Sequence, residues 1–186
     1  MDQVTVVTNG PGQFALIEFT GALPRAKLFT NWLVNTNDTE VLSRLTNAAF
    51  NPHETVIVSS PLPAATNAPG TNAGEVKFIS YAPKRIRLDA IAVAPSVLLL
   101  NDKHSPNWKV SVDGQPATLL RCNYLMRGVQ VPAGKHEIEF RYEPPITGLY
   151  VTLAAMALAL FLLGIVLFTR HADGAPPMAK SPVPAK

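Results

Sequence analysis

Trp108 and Tyr124 are the residues that could do recognition chemistry, because the CH face of a sugar packs on an aromatic ring. Trp108 has a second reading as core, since it is in phase with Val110 and Val112, and that reading is favoured. Arg121, Asn123 and Arg127 are polar residues in a stretch that otherwise reads as strand and turn. They could form a buried hydrogen-bond network, dock on another domain or contact a ligand; the first two are favoured. Arg25, in Leu23-Pro24-Arg25-Ala26, poses the same question. Glu137 and Glu139 share one face of an alternating segment. Two carboxylates so placed could act as an acid pair, but an outward strand face more commonly carries solvated charge.

The remaining reactive residues do not converge. His53, His104, His136 and His171 are scattered without ligand spacing. Ser105 and Ser111 lie in no G-x-S-x-G elbow, and there is no glycine-rich phosphate loop. Cys122 is the single cysteine, so it makes neither an internal disulfide nor a structural zinc site, and it reads as a small apolar strand residue. The expectation is therefore no catalytic residue, no metal and no cofactor in this chain. The net charge of +3 is small and no basic face is interleaved with aromatics, which argues against a nucleic-acid partner. Asn37-Asp38-Thr39 matches a glycosylation sequon, a pattern of low specificity.

The elements that must position these residues are mostly strands. Val4 to Thr8 and Phe14 to Thr20 flank the turn cluster Asn9-Gly10-Pro11-Gly12. Arg25 to Val34 reads as one strand. Asp38 or Thr39 caps a short helix whose apolar face is Val41, Leu42, Leu45, Ala48 and Ala49, and Asn51-Pro52 ends it. Glu54 to Ser59 reads as a strand, and residues 61–74 as an exposed loop. Glu75 to Tyr81, Lys84 to Val93, and Ser96 to Asn101 follow, the last buried on both faces through Val97-Leu98-Leu99-Leu100. Trp108 to Asp113 alternates and meets Asp113-Gly114, a strong hairpin signal. Gln115 to Asn123 returns and Arg127 to Val131 continues. Lys135 to Tyr142 then alternates with Ile138, Phe140 and Tyr142 inward. Short strands, proline and glycine turns and one small amphipathic helix predict a mainly β, jelly-roll-like antiparallel sandwich.

Leu149 to Phe168 is different in kind: uncharged, proline-free and apolar all round apart from Thr152. Its length matches a bilayer's hydrocarbon core of about 30 Å, so a transmembrane helix is predicted, with Tyr150 at the interface. The chain divides into a β domain over 1–146, a span over 147–169 and a disordered tail over 170–186. Arg170, His171, Lys180 and Lys186 lie beyond the span with Asp173 as the one acid. The positive-inside rule then puts the tail in the cytoplasm and the domain outside. Met1-Asp2-Gln3-Val4 has neither a basic n-region nor an apolar h-region, so no cleavable signal peptide is expected. An N-terminal domain of this size is hard to move unaided across a membrane, which points to a piece of a longer polytopic protein.

A set of segments carries a resemblance. His104-Ser105-Pro106-Asn107-Trp108-Lys109-Val110-Ser111-Val112-Asp113-Gly114 is similar to the pattern YYPGWKVYVDGK. Arg121 to Val129 is similar to RANYLFRGV, and Val131 to Pro144 to VPAGEHTVEFRYEP, followed by a hydrophobic span. Leu23 to Ala26, the Asp38 to Asn51 helix and Asn51 to Val56 fit as well. From Leu23 to Phe168 the chain resembles the C-terminal part of the YfhO family of bacterial membrane proteins, with Asn107 where the pattern has Gly and Cys122 where it has Ala. The resemblance implies a long polytopic parent with an architecture like GT-C glycosyltransferases. Those use lipid-linked sugars outside the membrane, and some relatives are implicated in glycosylating cell-surface polymers. Their catalytic acids lie near N-terminal spans that have no counterpart here, so no catalytic residue is carried over. The expected partners are the bilayer, a multi-span membrane domain and a cell-surface glycan, at the bacterial inner membrane.

Overall fold

The computed structural model describes residues 4–8, 15–19, 21–63 and 72–173. They form two compact units that divide between Pro144 and Pro145. The first is mainly β. Its strands are β1 (Val4–Thr8), β2 (Ala15–Phe19), β3 (Ala26–Phe29), β4 (Trp32–Val34), β5 (Val56–Val58), β6 (Gly74–Ala82), β7 (Arg85–Ala92), β8 (Ser96–Lys103), β9 (Trp108–Val112), β10 (Gln115–Ala117), β11 (Leu120–Cys122), β12 (Met126–Val131) and β13 (Gly134–Tyr142). One short helix, α1 (Asp38–Leu45), interrupts them. β1 and β2 pair as a ribbon. The others form a five-stranded sheet, β10-β9-β13-β7-β6, and a six-stranded sheet, β3-β8-β12-β11-β5-β4.

The two sheets pack face to face because alternation supplies each with an apolar inner face. Ile86, Leu88, Ala90, Val110, Ile138 and Phe140 come from the first sheet, and Leu28, Leu98, Leu100, Val129 and Val131 from the second. The odd residues of β8, Val97 and Leu99, point to the other side. There they join Phe29, Trp32, Val56, Val58, Leu120 and Cys122 in a second cluster. β8 is thus buried on both faces, as its unbroken apolar run predicts. Asp113 and Gly114, at φ +51° and +77°, make the expected hairpin turn between β9 and β10.

Several boundaries differ from the sequence expectation, each for a local reason. Arg25 to Val34 is two strands, broken at Thr30-Asn31. β3 pairs with β8, whereas β4 turns to pair with β5, in the one parallel pairing among the described residues. Asn31 serves the neighbouring segment, donating its side-chain amide to Thr55 Oγ1 at 2.9 Å. The strand expected over Glu54 to Ser59 is reduced to Val56–Val58, since only that part meets β4 and β11. Helix α1 is capped by Asn37, whose Oδ1 accepts from Thr39 N at 3.0 Å and Glu40 N at 3.3 Å. It stops at Leu45, because Thr46 Oγ1 bonds back to Leu42 O and Asn47 opens a turn, so Ala48 and Ala49 are exposed rather than on its face. Gln115 to Asn123 is also two strands: β10 stays with β9, and β11 crosses to the six-stranded sheet. The turn at Asn9 to Gly12, the centre of the loop over 61–74 and residues 174–186 of the tail lie outside the described residues.

The second unit is helix α2 (Thr147–Asp173). Thr147–Thr169 is long and apolar enough to cross a membrane, with a mean hydropathy of 2.7. None of its most apolar window is buried against the rest of the chain. The helix continues past the expected limit at residue 169, into the start of what reads as tail.

Candidate functional site

The strand register gathers the polar and aromatic candidates at one end of the sandwich, the end at which β13 terminates. Tyr142 lies opposite Trp108, and Met126 opposite Lys103. β13 reaches the neighbouring turns there through Tyr142 N to Lys84 O, 2.8 Å, and Glu143 N to Asn107 O, 2.7 Å.

Asp102, near the end of β8, is the hub of one group. Its Oδ1 accepts from Arg25 Nη2 at 2.9 Å, and its Oδ2 from Arg127 Nη2 at 2.8 Å and from the Tyr81 hydroxyl at 3.0 Å. Arg25 also donates to Tyr81 and lies over its ring, 4.3 Å from the centroid. Arg127 donates to Lys103 O at 3.2 Å and stacks 3.8 Å above Trp108, which in turn packs on Tyr142 at 5.3 Å between centroids. The group bridges the sheets, since Tyr81 and Trp108 come from one and Asp102 and Arg127 from the other. Arg127 is 3% exposed and its Nε has no partner. Burial lowers its pKa, and the neighbouring Asp102 opposes that shift. Arg25 is half exposed, and the hydrogen bond to Asp102 raises its pKa. Burial, and then the bond to Asp102, raise that of Tyr81. Two guanidinium groups share one carboxylate, which leaves a net positive site whose exposed members are Arg25 and Tyr81.

Arg121, Asn123 and Tyr124 form a second group. Arg121 grips Asp38 at the start of α1 with two hydrogen bonds, 2.6 and 3.2 Å, which raises the arginine's pKa and lowers the carboxyl's. Asn123 and Tyr124 hold the turn between β11 and β12 with φ of +43° and +72°. Asn123 Oδ1 accepts from Ile57 N and Asn123 N donates to Ile57 O, so this residue fastens β5. Tyr124 is 36% exposed beside Leu125 at 43%. His104 feels both groups: burial first, then the charges of Arg121 and Arg127, lower its pKa.

Trp108 and Tyr124 therefore have separate neighbours: Trp108 has Arg127 and Tyr142, and Tyr124 borders a small cleft with Asp38, Val41 and Arg121. Trp108 also packs on the inter-sheet core, half buried. The sequence reading does not single out Tyr81 or Asp102, and it takes Asp38 as a helix cap, where the structure has it as the partner of Arg121. The available signal was an acid placed just past a doubly buried run, Asn101-Asp102, where only a paired carboxylate is tolerated. A groove of about 760 Å³, lined by Phe19, Leu23, Phe50, His53, Asn101 and Met126, includes no side chain of the Asp102 group. Its volume suits a small ligand. Elsewhere, Glu137 pairs with Arg87, and Glu139 with Arg85 and Arg141, on the outer face of the five-stranded sheet. Among the described residues no cluster of three or more His, Cys, Asp or Glu could hold a metal ion.

Residues 76–154 match the family model of the bacterial membrane protein YfhO. The match runs from β6 into the first turns of α2 and bears out the resemblance over that stretch. No curated protein and no solved structure matches the chain significantly.

Proposed function

We propose, from the premise that this is a membrane protein of the YfhO family, that the β-sandwich is a non-catalytic extracytoplasmic module of a polytopic parent whose last span is α2. The parent would glycosylate cell-surface polymers, and the module would position an acceptor glycan or pack on the catalytic membrane domain. The carrying observation is the extent of the family match, which joins most of the five-stranded sheet to a helix of spanning length. The polar end of the sandwich supports a recognition role: the Arg25 guanidinium and the Tyr81 hydroxyl are exposed there. The basic residues after the span support a cytoplasmic tail at the inner membrane.

The test is the coding frame upstream of Met1. A continuing frame with repeated apolar stretches of about twenty residues is expected; a stop codon directly before Met1 overturns the polytopic reading and leaves a membrane-anchored binding module. In the intact parent, removal of residues 1–144 should change the sugar content of surface polymers. Unchanged sugar content, with the truncated protein present in the membrane, rejects the glycosylation role. An alkaline phosphatase fused after Lys186 should be inactive, and activity there overturns the orientation.

A further inference from the structure

The end of the sandwich at which β13 terminates carries three lysines whose ammonium groups the network above does not use. Lys84 lies in the turn before β7, Lys103 ends β8 and Lys109 is on β9, and all are exposed. None has a carboxylate partner among the described residues, whereas three acids at this end are engaged by arginines: Asp102 by Arg25 and Arg127, Glu139 by Arg85 and Arg141, and Glu143 by Arg141. Register places the three together. Lys109 faces Arg141 across β9 and β13, Lys84 O accepts from Tyr142 N, and Lys103 precedes the turn whose Asn107 O accepts from Glu143 N. Exposed Tyr124 and Leu125 share this end, with Leu125 O accepting from His104 N at 2.7 Å. The opposite end, at Asp113-Gly114 and Pro132-Ala133, has Lys135, whose neighbour His136 bonds Asp113.

Chain length fixes what these lysines can meet. Only Glu143 to Ile146 separate β13 from the membrane helix. Extended, that link reaches about 18 Å, while the polar layer on each side of the hydrocarbon is about 5–8 Å thick. We propose that this end of the sandwich seats on anionic phospholipid headgroups, with Lys84, Lys103 and Lys109 at the phosphates and Tyr124 and Leu125 in the interface. Unpaired lysines tethered within reach of a phosphate layer are attracted to it, and aromatic side chains favour that layer. The inference needs only the membrane span and is independent of the glycan role.

Amine acetylation followed by mass spectrometry tests it on the full chain, reconstituted in nanodiscs of phosphatidylcholine alone or with phosphatidylglycerol. Lys84, Lys103 and Lys109 should react several-fold more slowly in the anionic discs, and about 0.5 M salt should abolish the difference because it shortens the screening length. Lys77 and Lys135, in mid-strand and at the far end, should change little. Equal slowing of all five lysines, or no slowing of the three, overturns the proposal. So does slowing that salt leaves intact.

Discussion

Arg127 Nη2 donates to Asp102 Oδ2 at 2.8 Å with side-chain exposures of only 4% and 12%, so this ion pair is a buried tie between β8 and β12. Breaking one partner of such a pair leaves a charge in a poor solvent. Asp102→Leu should cost about 3–5 kcal/mol of unfolding free energy, and Arg127→Met a comparable amount. Joining Arg127→Met to Asp102→Leu should recover much of the loss, because no buried charge then remains. Chemical denaturation of the four proteins in detergent measures the coupling, and additive losses would show that the pair does not act as a unit.

Gly128 in β12 is a packing requirement. A β-carbon there would meet Leu98 O at 2.6 Å and Cys122 Sγ at 2.7 Å, and backbone cannot withdraw as a long side chain can. Gly128→Ala should destabilise the domain by about 1–3 kcal/mol, read as a lower denaturation midpoint. Joining it to Cys122→Ala should restore only part, because the carbonyl clash persists.

Cys122 is fully buried, and burial pushes its thiol up to about 12. The folded protein should therefore resist maleimide at neutral pH and react once unfolded. Labelling in parallel with the denaturation series gives an independent unfolding signal. Rapid labelling without denaturant would contradict the buried position.

At the far end, His136 Nδ1 and Asp113 Oδ2 are 2.7 Å apart. The hydrogen bond with Asp113 raises the pKa of His136 above its ordinary value near 6.5, and His136 lowers that of Asp113 below 3.8. The histidine's contribution is complete below pH 6.5 and is lost as pH rises through the raised value. The carboxylate's is complete above 3.8 and is lost as pH falls through the lowered one. The pair therefore stabilises most between those limits. His136→Gln should flatten the alkaline side of the stability profile, measured by thermal unfolding from pH 5 to 9. An unchanged alkaline side would show that the ion pair contributes nothing there.

Trp108→Ala should lower stability by roughly 2–4 kcal/mol, as it removes packing against Arg127, Tyr142 and the core. Tyr124→Ala, on an exposed turn, should cost much less. A sugar-binding assay therefore belongs on Tyr81→Phe, which removes one exposed hydroxyl. A Trp108 variant as stable as the parent would put its ring outside the core.

Local sequence sets most of the strands, the doubly buried run at Val97 to Leu100, the Asp113-Gly114 hairpin and the apolar span. Each is written in local periodicity, turn chemistry or length, which no distant contact has to supply. The break at Thr30-Asn31, the parallel pairing of β4 with β5 and the transfer of β11 to the second sheet came only from the tertiary structure. A strand's partner depends on which edge remains free after the other strands have paired, and its own residues do not encode that. The same holds for the polar end. Arg25 and Asp102 are far apart in the chain, and only the closure of two sheets over one core brings their charges to 2.9 Å. Arg127 was legible as a residue needing a partner, because burying a guanidinium without one is costly; which carboxylate answered it was decided by register.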